Sequence, residues 1–163
     1  VNVGSSSDTA EFAVDSIETW WVKMGTSRYP EAHSLYVNAD GGGSNGSRNR
    51  LWKARLQAFA DRHHLNVYVS HFPPGTSKWN KIEHRMFSAI SMNWKGQPLV
   101  SYEVIVNLIG ATTNKSGLQI LAEHSKKVYH TKIGVSDEEM ASLNILGHDF
   151  HPEWNYAIRP RPT

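Results

Sequence analysis

The segment from His71 to Arg85 constrains this chain more than any other stretch of its sequence. It leads from an apolar strand pattern over 66–70, through a Pro-Pro-Gly turn, into a helix pattern over about 80–94 that carries Glu83 in its first turn. A second carboxylate, Asp40, follows the strand pattern over 34–39 and precedes a glycine-rich loop. One acid at the end of a strand and one on a helix are two parts of a divalent-metal phosphodiester site, which needs a third acid.

The composition of the chain excludes several classes of protein. With 163 residues, 20% of them charged, the chain is long enough for a single folded domain with a buried core. The absence of cysteine excludes disulfides, thiolate zinc sites and cysteine nucleophiles, and is compatible with a reducing cytosol. No apolar run has the length of a membrane span, so we expect no membrane partner.

Basic residues gather near both acids although the net charge is only +2. Solvated helix faces and a rim that contacts nucleic-acid phosphates explain this pattern about equally well from composition alone. The cations near Asp40 are Arg48, Arg50, Lys53 and Arg55, and those near Glu83 are Lys78, Lys81 and Arg85.

Helix and strand patterns alternate over the first hundred residues, which predicts a layered α/β domain with some parallel strand pairing. We expect a first helix that opens with a capping box at 8–11, has Asp8 as its cap and ends at Gly25. The patterns further predict a helix over about 47–63, a helix capped by Ser101, strands over 118–122 and 128–135, a helix over 136–143 and a tail from His148 that wraps the body. In the second of these helices the buried stripe is expected to be Leu51, Trp52, Arg55 (its stem), Leu56, Phe59 and Ala60.

Each candidate also has an ordinary structural explanation. Glu83 fits a capping box with Asn80, in which its carboxylate would bond the Asn80 backbone amide, and Asp40 before two glycines is a common turn residue. The glycine loop lacks the lysine of a phosphate-binding loop, which excludes that interpretation. The pairs His63-His64 and His148/His151 favour structural roles over metal binding.

The two acids together resemble the second and third acids of the DDE transposases, and 42 residues separate them. In mariner-related members a strand ends in Asp, and the later acid follows a Pro-rich loop and an Asn-x-x-Glu step. The chain is most similar to a bacterial insertion-sequence branch, the Rhodopirellula-type DDE transposases. That similarity runs through residues 39–46, 71–85 and 99–113 and through Trp154-Asn155-Tyr156, and so covers nearly the whole chain.

The resemblance implies a ribonuclease H-like fold and two-metal phosphoryl transfer on DNA, at element ends and at a target. In such a site three carboxylates hold two Mg²⁺ or Mn²⁺ ions about 3.5–4 Å apart. Asp40 and Glu83 would be catalytic metal ligands. The residues expected to contact nucleic acid, or to support the ligands, are Asn45, Arg48, Lys78, Asn80, Lys81 and Arg85. The resemblance also implies a bacterial cytoplasmic, nucleoid-associated protein.

The first acid of the family pattern is missing from these residues. It belongs to the first strand of the fold, whereas Val1-Asn2-Val3-Gly4 resembles the end of the third strand. Asp8 and Asp15 are the nearest substitutes, but Asp8 resembles a helix cap and Asp15 is expected on the outer face of its helix. We therefore expect a ribonuclease H-like core without its first strands, and no transposition by these residues alone. The exposed edge of strand 34–39 would favour a homo-oligomer.

The predicted organisation is a single partial catalytic domain over 1–163, with a core over about 1–115 that holds both acids and a C-terminal part over about 116–163. Two other interpretations remain open. The chain could be a non-catalytic nucleic-acid-binding or assembly module derived from a transposase, or a nuclease-like enzyme with a metal site rebuilt around Asp8 or a histidine.

Overall fold

The structure is a computed structural model that describes residues 1–73 and 75–162, and for Ser77 the main chain alone. The middle residue of the predicted Pro-Pro-Gly turn, Pro74, lies outside the described residues. The chain folds into two compact units. We call residues 8–77 with residues 129 onward the sheet unit, and residues 1–7 with 78–128 the helical unit.

The sheet unit contains a four-stranded mixed sheet in the order β2-β3-β6-β5. Strands β2 (Ser34–Ala39) and β3 (Asn66–His71) pair in parallel, in a register that sets Ala39 opposite His71. Strand β6 (Asn155–Ile158) pairs antiparallel with β3 and with β5 (Ile145–Gly147). The predicted α/β architecture with parallel pairing is confirmed.

Helix α3 (Arg50–His63) connects the two parallel strands and supplies much of the core of this unit. Asn49 caps it by accepting a hydrogen bond from the Trp52 amide, so it begins later than the predicted residue 47. The predicted stripe is confirmed at Trp52, Leu56, Phe59 and Ala60, which are at most 1% exposed. Arg55 is exposed and pairs with Glu11, whereas the unpredicted Gln57 is fully buried.

The first helix differs from its prediction at both ends. Thr9, rather than Asp8, is the cap of α1 (Ala10–Trp20), because its hydroxyl accepts a hydrogen bond from the Phe12 amide. Gly25 does not end the helix, since a π-helical turn, Trp21–Gly25, leads directly into α2 (Thr26–Arg28). The glycine makes room for the buried indole of Trp21, which lies where a Cβ on residue 25 would be.

The rest of the sheet unit follows the prediction less closely. Residues 128–135 form no strand, and Ser136 caps a short helix, α6 (Asp137–Ala141), as expected. The tail from His148 does more than wrap the body, since it contributes β6 to the sheet, next to β5, which precedes it in the chain.

The helical unit is built from α4 (Lys81–Trp94) and α5 (Tyr102–Gly110), capped by Asn80 and Ser101. Its core gathers around Ile90, Ile109 and Ile120. A small parallel pair joins β1 (Asn2–Gly4) to β4 (Glu123–Ser125), and residues 118–122, predicted as a strand, lie in irregular structure before β4. Within the described residues, no helix is long and apolar enough to cross a membrane.

Candidate active site

Asp40 lies directly after β2, where the strand leaves the sheet. Ala39 before it is buried, whereas Asp40 itself is exposed. Its carboxylate forms no hydrogen bond or ion pair with any residue that the structure describes. An exposed carboxylate without a cationic partner keeps its oxygens available for a metal ion or for solvent.

The main chain at Asp40 is held by the neighbouring strand. The Phe72 amide donates to the Ala39 carbonyl at 2.8 Å, and Nδ1 of His71 lies 3.3 Å from the Asp40 carbonyl oxygen. The carbonyl groups of Ala39, the last residue of β2, and of Asp40 after it are therefore bound by Phe72 and His71 where β3 ends.

His71 belongs to a buried hydrogen-bonded chain. Its Nε2 lies 2.9 Å from the hydroxyl of Tyr156 on β6, and that hydroxyl accepts a 2.9 Å hydrogen bond from the indole N–H of Trp52. All three side chains are at most 5% exposed. Burial lowers the pKa of His71, and the positive charge of Lys53 adds to this effect against the opposing contribution of Asp40. Lys53 places its ammonium group 5.1 Å from the centre of the Tyr156 ring, and burial raises the pKa of the Tyr156 hydroxyl.

The glycine loop positions two of the predicted nucleic-acid residues on the same unit as Asp40. Gly43–Asn45 forms one 3₁₀ turn, in which Gly43 has a φ of 67° that favours glycine. The Asn49 side chain ties this loop to α3 by donating to the Ser44 carbonyl at 3.0 Å. Asn45 is half-buried in the loop, and Arg48 is exposed just before α3.

Glu83 lies in the first turn of α4, in the helical unit. Its carboxylate accepts a 2.7 Å hydrogen bond from the side-chain amide of Asn80, and its backbone amide donates to the Asn80 oxygen at 3.5 Å. The alternative capping interpretation is thus correct for Asn80 as the cap. Glu83, however, bonds the side-chain amide of Asn80, not the backbone amide. It forms no ion pair with a described residue, so its second oxygen remains open.

Four basic side chains line a shallow pocket of about 320 Å³ beside the start of α4: Lys78, Lys81, His84 and Arg85. Within the described part of the chain, none of them has an acidic partner. Positive charge at the first turn of a helix opposes the helix dipole and costs stability unless an anion is present. The predicted residues Lys78, Lys81 and Arg85 are thus brought together in one unit, and His84 joins them. In the sequence, the signal that could have predicted His84 as a fourth member was its position three residues after Lys81 in the same helix pattern.

The remaining acids do not complete a metal site. Asp8 is exposed before α1. Asp15 was expected on the outer face of its helix but is half-buried and accepts a 2.9 Å hydrogen bond from the Tyr129 hydroxyl. Among all residues that the structure describes, no three His, Asp or Glu side chains gather in a group that could hold a metal ion. This gives no support to a site rebuilt around Asp8 or a histidine.

Comparison with known proteins shows the family to which the chain belongs. A mixed α/β protein with a free carboxylate directly after a strand and a second acid at a helix start fits the transposase class of DNA-processing proteins. Residues 1–160 match the family model described as the Rhodopirellula transposase DDE domain. The chain belongs to this family. No curated protein and no solved structure matches it. Membership implies DNA as a partner, and domains of this class generally use divalent metal ions.

Proposed function

We propose that this chain is part of the catalytic domain of an insertion-sequence transposase, with a ribonuclease H-like fold, that cleaves and joins DNA strands. The observation that carries the proposal is a pair of carboxylates, Asp40 and Glu83, that resemble the second and third acids of the family pattern and have no cationic partner among the described residues. A carboxylate whose role is to form a structural ion pair would have a cationic partner.

The donor chemistry of both acids suits Mg²⁺ or Mn²⁺, which prefer carboxylate oxygens and keep several waters. Such ions, when bound, activate the attacking oxygen and stabilise the leaving oxygen of a phosphodiester. Asp40 and Glu83 would each hold metal through an exposed oxygen. The chain itself contributes the orientation of these oxygens, through the bonds to the Asp40 main chain and to the Glu83 side chain.

The basic pocket beside α4 is the proposed contact for DNA phosphates. Lysine and arginine that neutralise phosphates supply most of the sequence-independent affinity for DNA. Asn45 and Arg48, near Asp40 in sequence, and Asn80, which binds Glu83, are proposed as further contacts or as supports of the ligands.

We further propose that these 163 residues alone do not complete the reaction, since two acids of the family pattern are recognised and three are needed.

The domain division, with a core over about 1–115 and a C-terminal part over about 116–163, stays a prediction. So does the homo-oligomer. In the described sheet β2 pairs with β3 on one edge only, and an open edge favours pairing with another chain.

Titration calorimetry with Mn²⁺ tests the role of the acids. We expect weak binding, in the millimolar range, that is lost in Asp40→Asn and weakened in Glu83→Gln. Asp149→Asn and Glu103→Gln are matched controls, because both remove an exposed carboxylate outside the proposed site. Equal Mn²⁺ binding by the parent chain and Asp40→Asn would contradict the metal role.

Salt-dependent DNA binding tests the pocket. Each phosphate contact contributes about 0.9 to the slope of log K against log salt concentration. We expect the double variant Lys81→Ala/Arg85→Ala to lower that slope by about 1–2, and the exposed pair Lys95→Ala/Lys115→Ala to leave it nearly unchanged. An equal effect of both pairs would show general charge attraction rather than a site.

The second candidate function is a non-catalytic DNA-binding or assembly module, which is favoured by the lack of a three-acid group among the described residues. DNA affinity that survives Asp40→Asn, with no Mn²⁺ binding by the parent chain, would favour this module. Cleavage of element-end DNA by the chain with Mn²⁺ would instead contradict the expected inactivity.

A further inference from the structure

We propose that His71, held by Tyr156 and Trp52, is a positioning residue that fixes the main chain at Asp40 and thereby the direction of its carboxylate. The inference rests on the proposed function of Asp40 as a metal ligand.

The hydrogen-bond partners determine where each proton lies. The indole N–H of Trp52 can only donate, so the Tyr156 hydroxyl accepts at 2.9 Å. The single hydroxyl proton of Tyr156 is then donated to Nε2 of His71 at 2.9 Å. Nε2 must therefore be unprotonated, and the ring proton lies on Nδ1, which faces the Asp40 carbonyl oxygen at 3.3 Å. Donation runs in one direction, from Trp52 through Tyr156 and His71 to Asp40, and it gives each donor and each acceptor of this relay a partner.

Burial makes this relay difficult to replace by water. Trp52 is 1%, Tyr156 4% and His71 5% exposed, so solvent has little access to a partner left unpaired. The Tyr156 and His71 rings also pack against each other, with centres 5.6 Å apart. The relay and the bond from the Phe72 amide to the Ala39 carbonyl hold the main chain at Asp40. The Asp40 carboxylate can then move mainly by rotation about its own side-chain bonds.

Two amide variants, His71→Asn and His71→Gln, test the two ring nitrogens of His71 separately. Asn at position 71 places an amide group near Nδ1, keeps a donor for the Asp40 carbonyl and loses the Tyr156 bond. Gln at position 71 reaches toward Nε2, keeps the Tyr156 bond and loses the Asp40 bond. Each variant removes one buried hydrogen bond, so a merely structural role predicts similar effects of both. His64→Asn is the control, because His64 is exposed and its left-handed conformation (φ 53°) is one that Asn adopts readily.

Mn²⁺ affinity is the first measurement. Loss of a residue that orients a metal ligand typically weakens binding about 10–100-fold. We expect His71→Gln to weaken Mn²⁺ binding about tenfold, His71→Asn to weaken it clearly less, and the control His64→Asn to match the parent chain. Parent-like affinity in His71→Gln, with binding still lost in Asp40→Asn, would overturn the positioning role and leave the proposed function intact.

Nitrogen-15 NMR of the histidine rings in the unaltered chain is the second measurement, and it needs neither metal nor a variant. We expect the ring proton of His71 on Nδ1, with Nε2 accepting from the Tyr156 hydroxyl. A proton on Nε2 would overturn the inference. If Asp40→Asn binds Mn²⁺ like the parent, the proposed function fails. The Gly41 amide signal then decides the inference, since it should shift in His71→Gln far more than in His71→Asn, and equal shifts would overturn it.

Discussion

Gln57 is the buried polar side chain whose replacement tests the sheet unit most sharply. It is 0% exposed and makes three hydrogen bonds. Its Nε2 donates to Asp61 Oδ1 and to the Arg159 carbonyl, both at 2.8 Å, and its Oε1 accepts from the Asn144 amide at 2.7 Å. These bonds attach both ends of the segment that carries β5 and β6 to α3.

Gln57→Leu retains the approximate volume but leaves the Asn144 amide and the Arg159 carbonyl without partners. A buried group left unsatisfied costs about 1–3 kcal/mol. Asn144 is half-buried and Arg159 is exposed, so water offsets part of this cost, and the added apolar burial returns about 1–2 kcal/mol. We expect the free energy of unfolding to fall by about 1–2 kcal/mol.

Urea unfolding followed by circular dichroism measures this loss. With a slope of about 1–3 kcal/mol per molar urea, the midpoint should fall by about 0.5–1 M. Hydrogen exchange should show faster exchange in 145–158 than in α3. The exposed Gln97→Leu is the matched control. A Gln57→Leu chain within about 0.5 kcal/mol of the parent, the range of ordinary surface changes, would refute the reasoning.

Two further predictions concern Gly25 and His71. Helix propensity alone predicts that Gly25→Ala gains about 1 kcal/mol. A Cβ there would lie 2.3 Å from Trp21 Cε3, however, so we expect a lower melting temperature, whereas Gly110→Ala, whose nearest neighbour is 3.9 Å away, should not lower it. The pKa of His71 is lowered from 6.5, chiefly by burial, so the unfolded chain binds this proton first as the pH falls. Stability should therefore be lost as the pH falls from 6.5 through the folded-state pKa, and this loss should be smaller in His71→Asn. The same change of urea midpoint with pH in both chains would contradict this.

Local sequence signals predicted the elements whose stabilising partners are near in the chain. Strands 34–39 and 66–70 have continuous patterns of apolar and β-branched residues, and the helices after Asn80, Ser101 and Ser136 have caps that bond their own first turn. Such elements are determined within a few residues, which is why their positions could be predicted.

Elements that depend on distant partners were predicted poorly. Residues 118–122 are as apolar as many strands but find no strand partner, whereas the short β6 pairs with the open edge of β3 and β5 then pairs with β6. Gln57 is polar and lies outside the predicted apolar stripe, yet it is buried because the ends of the C-terminal hairpin supply two of its three hydrogen-bond partners. Hydrophobic periodicity contains no information about either pairing.

The sequence by itself determined the family and both candidate acids, because motifs such as Asn38-Ala39-Asp40 and Asn80-Lys81-Ile82-Glu83 are continuous in the chain. Only the tertiary structure decided what holds Asp40 in place. His71, Tyr156 and Trp52 are separated by up to 104 residues in sequence, and they meet because β6 pairs with β3 beneath α3. A hydrogen-bond relay depends on distances of about 3 Å in space, and sequence spacing does not encode such distances until the sheet has formed.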